Sequence, residues 1–146
     1  MNKPEIIKGA LSVDDRGKVS FVNDFKFDNV KRFYIVENHK VGFVRAWHAH
    51  KNEDKYVYVI KGSALVGSVE IDDWNNPSKT LQPNKVVLSD MSPSVYFIPK
   101  GHANGFMSLT NNLIITFFST SPLNESIDDD YRFESNYWDI WDIEER

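Results

Sequence analysis

The chain contains no cysteine, so neither disulfide bonds nor thiolate chemistry contributes to its fold or function. No run of Lys and Arg is long enough to build a basic face, and the formal net charge is −4. Both facts argue against a nucleic-acid partner, because phosphate backbones need a cationic surface. No apolar stretch approaches the length of a membrane span. The opening residues Met1-Asn2-Lys3-Pro4-Glu5 carry no apolar core of a signal peptide. The expectation is therefore a cytoplasmic protein with no membrane partner. Helical periodicity is also scarce, with no long stretch of apolar residues at i, i+3, i+4 and i+7.

What remains is 146 residues of ordinary globular composition, 41% apolar and 26% charged, which fits one domain over residues 1–146. A chain of this length buries roughly two thirds of its unfolded surface. Aromatic residues are abundant at 14%, enough to fill a β core or to line a ring-stacking pocket. Strand-forming runs are frequent: 30–36, 55–60, 63–71, 86–89, 94–98, 105–109 and 113–119. Turn residues separate them, as at Asp15-Arg16-Gly17, Asn75-Asn76-Pro77, Pro99-Lys100-Gly101 and Asn111-Asn112. Many short strands at regular spacing predict an all-β sandwich or barrel, and a jelly roll leaves a pocket between its sheets. The segment after Asp128-Asp129-Asp130 is polar yet carries Tyr131, Phe133, Tyr137, Trp138 and Trp141. Such a tail is expected to dock on its own domain or on a partner subunit.

The most informative segment runs from Gly42 to Gly62. Gly42, His48, His50 and Gly62 match the cupin pattern G-x5-H-x-H-x4-E-x6-G in register, with Lys55 at the glutamate position. The second cupin motif, P-x-G-x2-H, reads Pro99-Lys100-Gly101-His102-Ala103-Asn104, with Asn104 at the last ligand position. Two of the four positions that would hold a metal are thus an ammonium, which donates no lone pair, and a weak amide ligand. No metal and no cofactor are expected. Two histidines at i and i+2 on a pocket-facing strand, with Arg45 beside them, instead suit proton transfer.

Beyond the cupin pattern, residues 12–142 resemble the dTDP-4-dehydrorhamnose 3,5-epimerases and their relatives, the dTDP-4-keto-6-deoxyhexose 3,4-ketoisomerases. Asp15-Arg16-Gly17 resembles the epimerases' D-x-R-G element, whose arginine contacts the nucleotide diphosphate, often from a neighbouring subunit. Arg45-Ala46-Trp47-His48 is similar to their R-G-L-H, where the histidine is the base and the arginine holds phosphate or sugar. Lys55 falls on the lysine that stabilises the enolate oxygen. Ile71-Asp72-Asp73-Trp74 and 99–106 resemble further family elements. Arg32-Phe33-Tyr34 and the His48-Ala49-His50 triplet resemble the ketoisomerases, in which two histidines and a tyrosine shuttle protons.

The resemblance implies a cupin jelly roll with a short aromatic C-terminal tail, and a homodimer with exchanged N-terminal strands. It assigns catalysis to His48, His50, Lys55 and Tyr34. It assigns substrate binding to Arg16 and Arg45 at the diphosphate, Phe21 or Trp74 at the base, and His102 and Asn104 in the pocket. Leu123 stands where the epimerases carry an acidic tyrosine, in Ser119-Thr120-Ser121-Pro122-Leu123. The aspartate that pairs with their histidine has no clear counterpart. The leading expectation is therefore metal-free 3,4-ketoisomerisation of a nucleotide-linked 4-keto sugar. The alternatives are a 3- or 3,5-epimerase, a non-catalytic sugar-nucleotide-binding cupin, and a metal-dependent cupin.

Overall fold

The computed structural model describes residues 3–146. Among the described residues, twelve strands and one short helix follow each other. They are β1 (Glu5–Lys8), β2 (Ala10–Asp14), β3 (Gly17–Phe21), β4 (Arg32–Asn38), β5 (Val44–Ala49) and β6 (Lys55–Lys61). Then come β7 (Ser63–Glu70), β8 (Asn84–Ser89), β9 (Ser94–Ile98), β10 (His102–Ser108), β11 (Leu113–Ser119), α1 (Leu123–Ile127) and β12 (Tyr131–Arg132). Two five-stranded antiparallel sheets, ordered β1-β9-β6-β11-β4 and β12-β5-β10-β7-β8, face each other. This is the jelly roll that the strand spacing predicted. A separate hairpin, β2-β3, is nearly all exposed.

The alternation of each strand decides what enters the barrel. On β6, Lys55, Val57 and Val59 are buried while the residues between them are not. On β11, Leu113, Ile115 and Phe117 point inward and pack with Val57, Val66, Leu88 and Phe106. Where the barrel must bury polar atoms it pairs them, as Ser68 Oγ with Tyr96 Oη at 2.7 Å. The β6-β7 turn needs Gly62, whose φ of +92° is strained for any side chain and whose added Cβ would meet Thr110 Oγ1 at 2.3 Å.

A second apolar cluster lies on the outer face of the β5-β10-β7 sheet. Trp47, fully buried, packs there with Ala49, Val69 and Trp138. The aromatic tail covers it, as its composition anticipated. Trp138 meets Trp47 edge to face at 5.5 Å, and Trp141 lies 5.3 Å from it. Gly67 allows the close approach, because a Cβ there would meet the Trp47 ring at 2.8 Å and Ile140 at 2.5 Å. The tail is pinned by backbone bonds in both directions, Trp47 N–H to Phe133 O at 2.9 Å and Phe133 N–H to Trp47 O at 3.0 Å. It adds β12 to the sheet beside β5.

Candidate active site

One end of the barrel opens into a cleft of about 350 Å3 between the two sheets. Strand period two carries Arg32, Tyr34 and Val36 from β4, Lys55 from β6, Phe117 from β11 and Phe106 from β10 to its walls. Arg45 and His48 both line it although three positions apart, which strict alternation forbids. A register shift in the β5-β10 ladder resolves this: Ala46 faces Gly105 and His48 faces Asn104, leaving Trp47 as the extra residue. The bulge turns Trp47 outward under the tail and keeps Arg45 and His48 on the cleft side.

Lys55 sits at the back of the cleft. Its ammonium donates to Tyr34 Oη at 2.6 Å and lies over the Tyr34 and Phe117 rings at 5.1 and 5.7 Å. Those two rings stack at 5.2 Å, nearly parallel. Arg45 donates from Nε to Asn38 Oδ1 at 2.7 Å, and Asn38 is buried and donates in turn to Ser108 Oγ at 2.7 Å. The guanidinium is therefore aimed before any ligand arrives. Asn104 donates to the His48 carbonyl at 3.3 Å and shares the cleft. His50 Nδ1 donates to the Asp129 carbonyl at 2.5 Å. Burial holds His48 and His50 below the usual histidine range, with the cations Arg132 and Lys55 adding to the effect at His48 and Lys55 at His50. A neutral imidazole is the form a base requires.

Several residues of the site carried no signal in the sequence motifs. Glu53 is buried, with Oε2 accepting from Ser119 Oγ at 2.7 Å and lying 3.5 Å from Arg32 Nη2 and 3.6 Å from Lys55 Nζ. Burial pushes its carboxyl up. Ser126, Lys55, Ser119 and His50 together outweigh that and hold it below the ordinary glutamate value. Asp130 and Arg132 arrive with β12, where Arg132 pairs opposite His48 and Arg132 Nε donates to Asp130 Oδ2 at 3.0 Å. An aspartate thus does reach the cleft, from the tail. Its cue was the run of three aspartates, but only the docking of the tail places it. Leu123 and Ile127 of α1 form an apolar wall of the cleft.

His48, His50, Lys55, Tyr34, Arg45 and Asn104 are brought together as the motifs anticipated. Four other anticipated residues are not in the cleft of this chain. Arg16 is at the tip of the β2-β3 hairpin, its side chain 87% exposed and paired with Asp14 at 2.6 Å. Phe21 lies on the same hairpin. Trp74 packs against Tyr131 at 4.8 Å with the Lys51 ammonium 5.3 Å from its ring, on the outer aromatic cluster. His102 is buried at the start of β10, with Nδ1 3.4 Å from the Lys100 carbonyl, one step beyond Asn104 on the inward-facing side.

Barrel and cleft together define a cupin whose pocket holds two histidines, a tyrosine and several cations. The family model for dTDP-4-dehydrorhamnose 3,5-epimerase matches residues 6–141, and the chain belongs to that family of nucleotide-sugar isomerases and epimerases. No curated protein matches the chain in sequence. Among solved structures, it is similar to dTDP-4-dehydrorhamnose 3,5-epimerase from Bacillus anthracis with TDP and PPi bound, at 18% identity and a TM-score of 0.77, covering 97% of this chain and 86% of that one. It is similar to QdtA, a sugar 3,4-ketoisomerase from Thermoanaerobacterium thermosaccharolyticum in complex with TDP, at 20% identity and a TM-score of 0.68, covering 94% and 93%. It is also similar to ChmJ, a 3'-monoepimerase from Streptomyces bikiniensis in complex with dTDP-quinovose, at 16% identity and a TM-score of 0.72, covering 90% and 69%.

Proposed function

We propose that the chain is a 3,4-ketoisomerase of a nucleotide-linked 4-keto-6-deoxyhexose, with dTDP as the nucleotide, working by proton transfer without a metal. One observation carries this reading: His48, His50 and Tyr34 share one cleft with the Lys55 ammonium, while Leu123 and Ile127 form its apolar wall. Ketoisomerisation moves a proton between adjacent carbons and needs a base, an acid and an oxyanion partner. Epimerisation needs an acid across the ring, which an apolar wall does not supply.

The 4-keto group acidifies the hydrogen on C3. His48 takes that proton, the C–H electron pair becomes the C3–C4 double bond, and the C4 oxygen gains charge that Lys55 stabilises. His48 passes the proton it took to that oxygen, which gives the enediol and returns His48 to its neutral form. His50 then takes the C3 hydroxyl proton on its free Nε2 and hands it to C4 as C3 becomes the ketone; alternatively Tyr34 gives its hydroxyl proton to C4 and takes the C3 hydroxyl proton in its place. The proton count closes, and each group returns to its starting form. Arg45 binds the diphosphate bidentately.

Arg16 and Phe21 fit a role in a partner's cleft. Their hairpin leaves Val13 and Val19 largely exposed, which supports a homodimer in which the hairpins are exchanged. The reading places the enzyme in the cytoplasm, where nucleotide sugars are made, supplying a deoxyhexose for surface polysaccharide.

Asp130, beside His48, favours a second reading as a 3- or 3,5-epimerase, since it offers that histidine a carboxylate partner. Incubation with dTDP-4-keto-6-deoxyglucose in deuterated water, followed by NMR, separates the two. A C3 ketone in the product supports ketoisomerisation. Deuterium at C3 or C5 without carbonyl migration overturns it in favour of epimerisation. Binding without exchange at any carbon leaves a non-catalytic binding protein. Stoichiometric metal lost together with activity in His48→Ala refutes the metal-free route.

A further inference from the structure

Glu53 is the least accessible charged side chain among the described residues, and proton transfer by His48, His50 and Tyr34 gives it no task. A carboxylate this deep is costly to ionise unless it is paired on several sides. Here it is surrounded from five elements. Arg32 reaches it from β4, Lys55 from β6, Ser119 from β11, Ser126 lies nearby on α1, and His50 approaches from the loop after β5. Oε1 accepts no hydrogen bond of normal geometry and lies 3.7 Å from His50 Nδ1. That nitrogen already gives its proton to the Asp129 carbonyl, so the neutral ring keeps Nε2 free as its proton acceptor.

From this geometry we infer that Glu53 is the positioning residue of the site: it holds the Lys55 ammonium against Tyr34 and stabilises the imidazolium that His50 becomes when it accepts a proton. The inference rests on the proton-transfer reading of the cleft and adds to it a counter-charge. The arrangement is asymmetric. Burial lowers the basicity of His50 first and Lys55 adds to that, while Glu53 opposes both, helped by the Asp129 carbonyl and carboxylate, with His48 a further ring in the same cleft. Losing Glu53 would leave Lys55 and Arg32 unopposed at close range. The imidazolium would then keep only Asp129, through its carbonyl and its carboxylate, to oppose Lys55. Lys55 would be free to leave Tyr34. Neither change touches Arg45, which is tied to Asn38.

The test is Glu53→Gln, which keeps shape and removes charge, with Glu53→Asp as the charge-keeping control. In Glu53→Gln, kcat falls about tenfold or more while KM stays within about twofold. The His50 ring, followed by NMR, titrates at least about one pH unit lower, and the pH limb of kcat moves with it. Glu53→Asp restores both in part. A Glu53→Gln protein whose His50 titration matches the wild type overturns the inference, whatever reaction the enzyme proves to catalyse, because that readout needs no substrate. Should Glu53→Gln fail to fold, carboxyl NMR of the wild-type protein decides. An ionised Glu53 at neutral pH whose signal shifts in step with His50 titration upholds the inference, and a protonated one refutes it.

Discussion

Removing Trp138 separates stability of the tail from chemistry in the cleft. The ring is 2% exposed, meets Trp47 and Tyr137 edge to face at 5.5 and 4.6 Å, and donates from Nε1 to Ser78 O at 2.9 Å. Truncation of a buried tryptophan to alanine costs about 3–5 kcal/mol through lost transfer energy and the cavity left behind. The lost hydrogen bond falls within that range, since the Ser78 carbonyl lies near the surface and finds water. At about 3 °C per kcal/mol for a domain of this size, a central cost of about 4 kcal/mol lowers the midpoint of thermal unfolding by roughly 12 °C. The effect on turnover comes by a separate route. Trp138 anchors the tail over Trp47, and the tail delivers Asp130 and Arg132 to the cleft through the pairing of Arg132 with His48. Trp138→Ala is therefore expected to lose activity at 20 °C, where it is still folded. Ile115→Ala is the control. It empties a smaller volume from the inner core, away from the tail, at an overlapping cost of about 2–5 kcal/mol. Circular dichroism gives the midpoints, and isomerisation or solvent exchange of a dTDP-4-keto sugar gives the rates. Equal loss of rate in the two variants, or a Trp138→Ala midpoint within 2–4 °C of wild type (about 1 kcal/mol), would refute the argument.

His48→Asn is expected to lower turnover by about 100- to 10,000-fold, with dTDP binding by calorimetry retained, because the general base is removed and the arginines are not. Stability is expected to fall as pH drops. His48 and His50 are held below the ordinary histidine value of 6.5, so below that pH the unfolded chain binds protons the folded one resists, and stability is lost from there down to the folded values. Glu53, held below the ordinary glutamate value of 4.5, acts in the same direction in more acid solution than the histidines, its contribution being lost as pH falls through its folded value. Urea midpoints between pH 8 and 5 test this, and a flat profile in the wild type would contradict it.

Much of the barrel was legible because it follows from local rules. The runs 94–98 and 113–119 coincide with β9 and β11, and β4, β6, β7, β8 and β10 begin or end within a few residues of their predicted bounds. The hydrophobic alternation that sends Val57 and Val59 inward also sends Lys55 inward, so a cation in the cleft could be read directly from period two. What was not legible depends on tertiary placement. Nothing in Arg45-Ala46-Trp47-His48 announces the bulge that puts Arg45 and His48 on one side. The nearest cue is that Arg45 and His48 would otherwise point to opposite faces, which is a conflict rather than a pattern. Glu53 sits in Lys51-Asn52-Glu53-Asp54, a stretch that reads as a solvated turn. It is buried because Lys51 and Asn52 hand their amides to Asp129, at 2.8 Å each, which folds the turn against the tail.

The tail therefore does more than cover apolar surface. Asp129 caps the 51–52 turn with both carboxylate oxygens, and its carbonyl accepts from His50 Nδ1, fixing which ring nitrogen is free. One residue on, Asp130 lines the cleft, and two further on, Arg132 lies against His48. Burial lowers both histidines first, and one short segment remote in sequence from the histidine motif then adds its own charges to both and a hydrogen bond to His50. This explains why a motif that names His48 and His50 still leaves the direction of proton transfer open. The motif supplies two imidazoles, and burial, Lys55 and the segment 128–132 bias how each of them is charged, with Glu53 acting on His50.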